Sequence, residues 1–77
     1  MPTLLRIGAH RFQFHSREHD PPHVHVRSPD AWAEFELSPT RLRASREYTD
    51  RELGRIVEIV IRHRAQFLGR WDEYLGH

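Results

Sequence analysis

The chain has 77 residues, no cysteine, 12 basic residues that are all arginine, and a formal net charge of +1 at neutral pH. This length predicts a single domain over residues 1–77 with a small core, and the near-neutral charge argues against a general polyanion binder. The lack of cysteine excludes disulfides and thiolate metal sites, and the lack of a long apolar run or signal-peptide pattern predicts a cytoplasmic protein without a membrane partner.

Alternating apolar and polar residues predict five short strands in the first part of the chain. We place them at residues 3–7, 10–15, 23–27, 32–37 and 41–46. Turn-forming glycine and proline residues lie between these segments, as expected for consecutive antiparallel strands. The predicted fold is α+β, with an antiparallel sheet of four to five strands over residues 3–46 packed on a C-terminal helix over residues 50–75.

Residues 50–75 repeat their apolar side chains at helical spacing, and Thr49 and Glu52 have the spacing of a capping box. Arg64 interrupts the apolar stripe. A straight helix of about 26 residues would be roughly 39 Å long, whereas the strands span roughly 20 Å. Either the helix bends near Arg64 and packs back on the sheet, or it overhangs and exposes an apolar patch for a partner. That patch would consist of Phe67, Leu68, Trp71 and Leu75.

The segment "HSREHDPPHVHVR" contains four of the seven histidines. Because side chains alternate along a strand, Val24 and Val26 facing the helix would turn His23, His25 and Arg27 to the opposite face. The same alternation gives that face a dense set of polar groups from the other strands. They are Arg11, Gln13, His15, Trp32, Glu34, Glu36, Arg41, Arg43 and Ser45. One interpretation is an ordinary solvated sheet face.

A second interpretation is a metal site, because His23 and His25 project together from one strand. Imidazole and carboxylate ligands suit Zn²⁺ or another divalent transition metal. Candidates for a third ligand are His15, His19, Glu34 and Glu36. Outside this interpretation we expect no cofactor.

A third interpretation is the binding or cleavage of RNA. Histidine can transfer a proton, arginine can hold a phosphate, and a carboxylate can orient the imidazole. The catalytic candidates are His23, His25, Arg27 and Glu34. The same face can bind RNA without cleaving it, with Trp32 stacked on a base. The candidate ligand contacts are Arg11, His15, Arg27, Trp32, Arg41 and Arg43.

Four segments, "MPTLLRI", "DPPHVHV", "AEFEL" and "HRAQFLGRWDEY", occur in an order that resembles the small bacterial domain-of-unknown-function family 4160. His23, His25 and Trp71 match motif positions of that family, whereas Asp20 stands where asparagine is also frequent, and the chain is shorter at its end. The resemblance implies a component of a small prokaryotic operon in a toxin–antitoxin-like arrangement. It implies no catalytic residue set.

We therefore expect a toxin–antitoxin-type module whose polar sheet face engages RNA or another phosphate-bearing ligand. The alternative is a non-catalytic module that binds a partner through the C-terminal helix, as a homo-oligomer or with a small operon-encoded protein. A histidine-ligated metal enzyme is the third hypothesis.

Overall fold

The computed structural model describes residues 3–14 and 21–75. Its elements are β1 Thr3–Ile7, β2 His10–Gln13, β3 His23–Ser28, β4 Ala31–Leu37, β5 Thr40–Arg46, α1 Asp50–Arg62 and α2 Arg64–Leu75. The strands form one antiparallel sheet in the order β1-β2-β3-β4-β5. The predicted α+β fold is confirmed. Within the described residues, no helix is both long enough and apolar enough to span a membrane.

Tight turns connect β1 to β2, β3 to β4 and β4 to β5. Gly8 adopts a φ of 58° between β1 and β2, a left-handed conformation that glycine reaches without a steric cost. The turn between β4 and β5 contains a cis peptide bond between Ser38 and Pro39. Every strand pairs with its neighbours in sequence, so the face of each strand follows from its pairing register.

The core lies between one face of the sheet and the two helices. Alternation along the strands turns their apolar side chains toward α1 and α2, as the sequence predicts. The largest fully buried side chains are Trp71, Phe12, Phe14, Phe35, Phe67, Leu37, Ile56, Val24, Val26 and Val60. This side of the sheet is therefore committed to packing along β2 to β4, whereas Leu42 on β5 stays 43% exposed.

The predicted single helix over residues 50–75 is divided at His63, which ends α1 with a non-helical backbone (φ −103°, ψ 12°). Arg64 then reaches back to the sheet: its Nε donates to the carbonyl oxygen of Leu37 at 2.6 Å and its Nη2 to Ser38 Oγ at 2.9 Å. Because Arg64 is bonded to the end of β4, α2 starts in a new direction over the core. Arg64 thus joins the helix to the sheet.

The bend buries the aromatic side chains that a straight helix would have exposed. Phe67 stacks on Phe12 with ring centroids 5.9 Å apart, and Trp71 meets Phe14 edge-on at 5.1 Å. Both helical residues have an exposed fraction of 0%. The alternative of an overhanging helix with an exposed patch at Phe67 and Trp71 is wrong, since the chain covers these side chains with its own sheet.

The predicted capping box at the start of α1 is confirmed. Glu52 N donates to Thr49 Oγ1 at 3.1 Å, and Thr49 N donates to Glu52 Oε1 at 2.9 Å. The second of these bonds lowers the pKa of the Glu52 carboxyl. Just before the cap, burial raises the pKa of Tyr48, whose hydroxyl pairs with His10 Nδ1 at 3.1 Å.

Candidate functional site

Strand register places the chemically active side chains on the side of the sheet away from the helices, here called the polar face. His23 lies opposite Glu36, His25 opposite Glu34, and Arg27 opposite Trp32, whereas the residues between them face the core. Residues directly opposite each other on paired strands share a face. The members of the polar face are Arg6, Arg11, Gln13, His23, His25, Arg27, Trp32, Glu34, Glu36, Arg41, Arg43 and Arg46.

Three of these residues form a compact group, the His–Glu cluster, which consists of His23, His25 and Glu34. One potential ligand atom from each lies within 4.8 Å of the other two. The imidazole rings of His23 and His25 have centroids 5.2 Å apart, and His25 Nδ1 is 3.6 Å from Glu34 Oε1. The cluster is partly shielded from solvent, with side-chain exposures of 14% for His25 and 21% for Glu34.

The two prolines before β3 explain how His23 is oriented. His23 Nδ1 is 2.9 Å from the carbonyl oxygen of Pro21. A carbonyl only accepts, so Nδ1 is the nitrogen that donates, and in the neutral ring Nε2 holds the lone pair. The carbonyl oxygen of Pro22 accepts from Leu37 N at 3.0 Å, which ties this segment to the end of β4. The rigid Pro-Pro step thus sets both the ring orientation and the tautomer of His23.

His23 is less accessible than the alternation of the strand predicts. Its exposed fraction is 7%, and its ring centroid lies 5.0 Å from that of Trp71 on α2. His23 is the first residue of β3, where the end of α2 packs against the sheet. His23 keeps the register that alternation predicts, because it pairs with Glu36 while Val24 and Val26 face the core, but at the start of the strand its ring reaches Trp71 and is largely covered.

One part of the polar face on β4 and β5 is internally neutralised; it consists of Glu34, Glu36, Arg41 and Arg43, and we call it the carboxylate end. Arg43 Nη1 lies 3.0 Å from Glu34 Oε2, and Arg43 Nε lies 3.8 Å from Glu36 Oε2. Arg41 Nε lies 3.3 Å from Glu36 Oε1. Two guanidiniums thus accompany two carboxylates, so the positive charge of Arg41 and Arg43 is largely offset within the protein.

A second feature of the polar face crosses all five strands. Arg6 lies opposite Arg11, Arg11 opposite Arg27, Arg27 opposite Trp32, and Trp32 opposite Arg46. We call this line the arginine row. Like charges directly opposite on neighbouring strands destabilise a sheet. Within residues 3–14 and 21–75, none of the row's arginines forms an ion pair. The row therefore concentrates positive charge that no carboxylate of the described residues pairs with.

A surface hollow of about 380 Å³ lies over one end of the row, lined by Arg6, Ala9, Arg11, Arg27, Ser28 and Pro29. Arg11 Nε is buried there and has no hydrogen-bond partner among the residues that the structure describes. Buried polar atoms in proteins nearly always have a partner. A second hollow of about 300 Å³ runs past Arg27 and Trp32 to the His–Glu cluster. The row thus offers donors, open volume and an aromatic side chain to an anionic ligand.

Comparison with protein families finds that the model of the family described as "Domain of unknown function (DUF4160)" matches residues 10–72. The chain belongs to the DUF4160 family. No match was found among curated proteins or among solved structures. The matched range of this DUF4160 chain contains the whole polar face except Arg6. Membership confirms the resemblance read from the sequence, whereas a bacterial origin and an operon partner remain predictions.

The structure divides the predicted ligand contacts of the DUF4160 chain into two groups. Arg11, Arg27 and Trp32 belong to the arginine row, and the last two line the second hollow. Arg41 and Arg43 lie instead at the carboxylate end, where they contact glutamates. His15 lies outside the described residues.

The predicted catalytic and metal-ligating residues are only partly brought together. His23, His25 and Glu34 form one cluster, while Arg27 lies farther along β3 in the row. Both histidines proposed as third metal ligands, His15 and His19, fall outside the described residues. Glu34, which the sequence offers as an oxygen ligand, completes the cluster.

Sequence reasoning missed Arg6 and Arg46 as members of the polar face. A register shift between Glu34 and Phe35 in the β4–β5 ladder moves the alternation of β5 by one residue. Ser45 consequently lies opposite the buried Ala33, and Arg46 lies opposite Trp32. The prediction of Ser45 on the polar face is wrong for that reason. Arg6 could be placed on the polar face only by knowing which face of β1 packs on the core, and the sequence of this short strand does not show that.

The residues predicted as a partner interface are mostly internal in the DUF4160 fold. Phe67 and Trp71 are fully buried, and Leu68 is half-buried against the core. The side chain of Leu75 lies outside the described part of the structure. The large aromatic residues that would anchor an interface are therefore already packed within the chain.

Proposed function

We propose that this DUF4160 protein binds single-stranded RNA through the arginine row, with guanidiniums on phosphates and Trp32 stacked on a base. One observation carries the proposal: four arginines and one half-buried indole lie opposite one another across five strands. An aromatic side chain on a sheet face is a common platform for an unpaired base. A module of toxin–antitoxin type that acts on RNA is the wider role we propose.

The choice of a phosphate-bearing ligand follows from the chemistry of the row. The arginine fork matches phosphate oxygens in a bidentate geometry, and such charge-assisted hydrogen bonds are stronger than neutral ones. A row crossing four inter-strand steps is about 19 Å long, so it suits an extended polyanion better than a single small anion. The near-neutral total charge of +1 means that attraction is confined to this surface.

Fluorescence anisotropy with a short fluorescein-labelled oligouridine RNA tests this proposal. The row variant carries Arg11→Gln and Arg27→Gln, and the control carries Arg55→Gln and Arg62→Gln on the exposed side of α1. Both change the charge equally. If each row arginine makes a charge-assisted bond of about 1.5 kcal/mol, the row variant should lose about tenfold in affinity per residue, while the control keeps most of it.

The proposal is contradicted if the row variant binds as tightly as the unmodified protein, or if the control pair weakens binding equally. Equal weakening would indicate diffuse charge attraction without a defined site. Gel analysis of the recovered RNA shows separately whether the His–Glu cluster cleaves the bound strand through its own 2′-hydroxyl.

A further inference from the structure

We propose that His23, His25 and Glu34 bind one divalent transition-metal ion, of which Zn²⁺ is the best fit. This site is separate from the proposed RNA contacts, because the arginine row and the His–Glu cluster share no residue. Either property can therefore hold without the other. The proposal stands on three observations: the spacing of the donors, the hydrogen bonds behind them, and the ligand chemistry.

The spacing of the donors follows from the β3–β4 register. His25 lies opposite Glu34, and His23 lies two residues before His25 on the same face of the strand, so the three side chains converge. Their potential ligand atoms lie within 4.8 Å of one another. Tetrahedral bonds of about 2.0–2.1 Å would set ligand atoms roughly 3.3 Å apart. Side-chain rotations on binding would close the remaining distance.

The hydrogen bond behind His23 is the type that holds a metal-ligating histidine. Such histidines usually donate their second ring N–H to a carbonyl or carboxylate, which fixes the ring and its tautomer. His23 Nδ1 donates to the Pro21 carbonyl oxygen at 2.9 Å, which assigns Nε2 as the metal ligand. Packing against Trp71 further restricts the ring. The ring is therefore oriented before any ion binds.

Glu34 also has the second partner that a ligating carboxylate normally has. Arg43 Nη1 holds Oε2 at 3.0 Å, while Oε1 is directed toward His25. The separation of 3.6 Å between His25 Nδ1 and Glu34 Oε1 exceeds a good hydrogen-bond length. That separation is instead close to the roughly 3.3 Å expected between two ligand atoms of one tetrahedral ion.

The donor set determines the class of metal. Two imidazoles and one carboxylate suit Zn²⁺ and related transition ions, whereas Mg²⁺ requires oxygen ligands in an octahedral arrangement. Three protein ligands leave a fourth position, and His25 and Glu34 border the hollow of about 300 Å³ on the polar face. The site would therefore keep a position for water or another small ligand.

The experiment is calorimetric titration of the untagged full chain with Zn²⁺, together with the visible absorption of Co²⁺ as a probe of tetrahedral coordination. Glu34→Gln and His25→Gln test the ligands. Glu58→Gln on the exposed side of α1 is the control, because it removes the same charge away from the sheet. We expect one saturable Zn²⁺ site, a loss of about tenfold or more in the two ligand variants, and little change in the control or with Mg²⁺.

Three results would overturn the metal site: no saturable Zn²⁺ binding, unchanged binding in Glu34→Gln, or equal loss in Glu58→Gln. The last would mean that general negative charge, or histidines elsewhere, attract the ion. Circular-dichroism melting of every variant verifies folding, and the two ligand variants leave the packed ring of His23 in place. Zn²⁺ titration of the Arg11→Gln/Arg27→Gln protein should be normal, which separates this proposal from RNA binding.

Discussion

The two ends of the polar face differ in how their charges are arranged. At the carboxylate end, Glu34 lies within 4 Å of Arg43, and Glu36 lies within 4 Å of both Arg41 and Arg43, so opposite charges are paired. Along the arginine row, the neighbour of an arginine is another arginine or Trp32. In the described residues, the arginines of the carboxylate end are thus paired with glutamates, whereas the arginines of the row have no carboxylate partner.

This difference assigns separate roles to the two ends. Cross-strand pairs of opposite charge stabilise a sheet by a few tenths of a kcal/mol to about 1 kcal/mol, and like charges have the opposite effect. The carboxylate end therefore supports the fold and orients the His–Glu cluster. The arginine row adds repulsion to the isolated protein, and an anionic ligand would remove that repulsion on binding.

The largest expected effect is at Trp71, a core residue that contacts His23 of the His–Glu cluster. Replacing a fully buried tryptophan by alanine typically costs about 3–5 kcal/mol of unfolding free energy. We expect Trp71→Ala to melt much earlier at every protein concentration, and Trp71→Phe to lose less. Thermal melting combined with sedimentation checks this. A change in molecular size with concentration-dependent melting would show instead that Trp71 anchors an interface.

The next effect concerns the aromatic member of the row. Stacking of one base on an aromatic side chain contributes about 1–3 kcal/mol by alanine substitution. Trp32→Ala should weaken RNA binding by that amount, whereas Trp32→Phe should keep most of it. Because Trp71 is fully buried, quenching of tryptophan fluorescence by RNA should come from Trp32. Quenching that persists in Trp32→Phe would place the RNA elsewhere.

A smaller effect compares the stability contributions of the two ends directly. Glu36→Gln removes a partly shielded carboxylate that contacts two arginines, and it should lower the unfolding free energy by up to about 1 kcal/mol. Arg27→Gln relieves repulsion from Arg11 and should be neutral or stabilising by a few tenths of a kcal/mol. Urea denaturation measures both. If Arg27→Gln destabilises the protein as much as Glu36→Gln does, the two ends do not differ in their contribution to stability.

The smallest effect is in the salt dependence of RNA binding. For single strands, the logarithm of affinity falls with the logarithm of salt concentration by about 0.7 per phosphate contact. Each glutamine substitution in the row should reduce that slope by about 0.7, and Arg41→Gln at the carboxylate end should leave it nearly unchanged. Anisotropy titrations at several salt concentrations provide the slopes. An equal reduction for Arg41→Gln would make the whole face a single diffuse site.

Much of the fold follows from the sequence because periodicity reports burial. Alternation along residues 23–27 correctly turns Val24 and Val26 to the core, and the spacing of Thr49 and Glu52 correctly marks the start of α1. The bend at His63 remained one of two alternatives, because it depends on a bond from Arg64 to a carbonyl at the end of β4. Such a long-range contact has no local signature.

The candidate site was predictable in content but not in arrangement. The alternation of side chains along the strands predicts its histidines, its glutamates and several of its arginines. The arginine row can be recognised only when the register of four strand pairs is known. The register shift between Glu34 and Phe35 exchanges the faces on which Arg46 and Ser45 lie, and simple alternation does not predict such a shift. The burial of His23 likewise depends on Trp71, which lies far away in sequence and contacts it through the tertiary fold.

The most direct test of the central claim is a nuclear magnetic resonance titration of ¹⁵N-labelled protein with the oligouridine RNA. We expect the largest chemical-shift changes in the arginine row, including the Nε–H signals of Arg11 and Arg27 and the indole N–H signal of Trp32. The indole signal of the buried Trp71 should move little. Shift changes concentrated on the outer side of α1, or none at saturating RNA, would contradict the assignment of the arginine row as the RNA-binding surface.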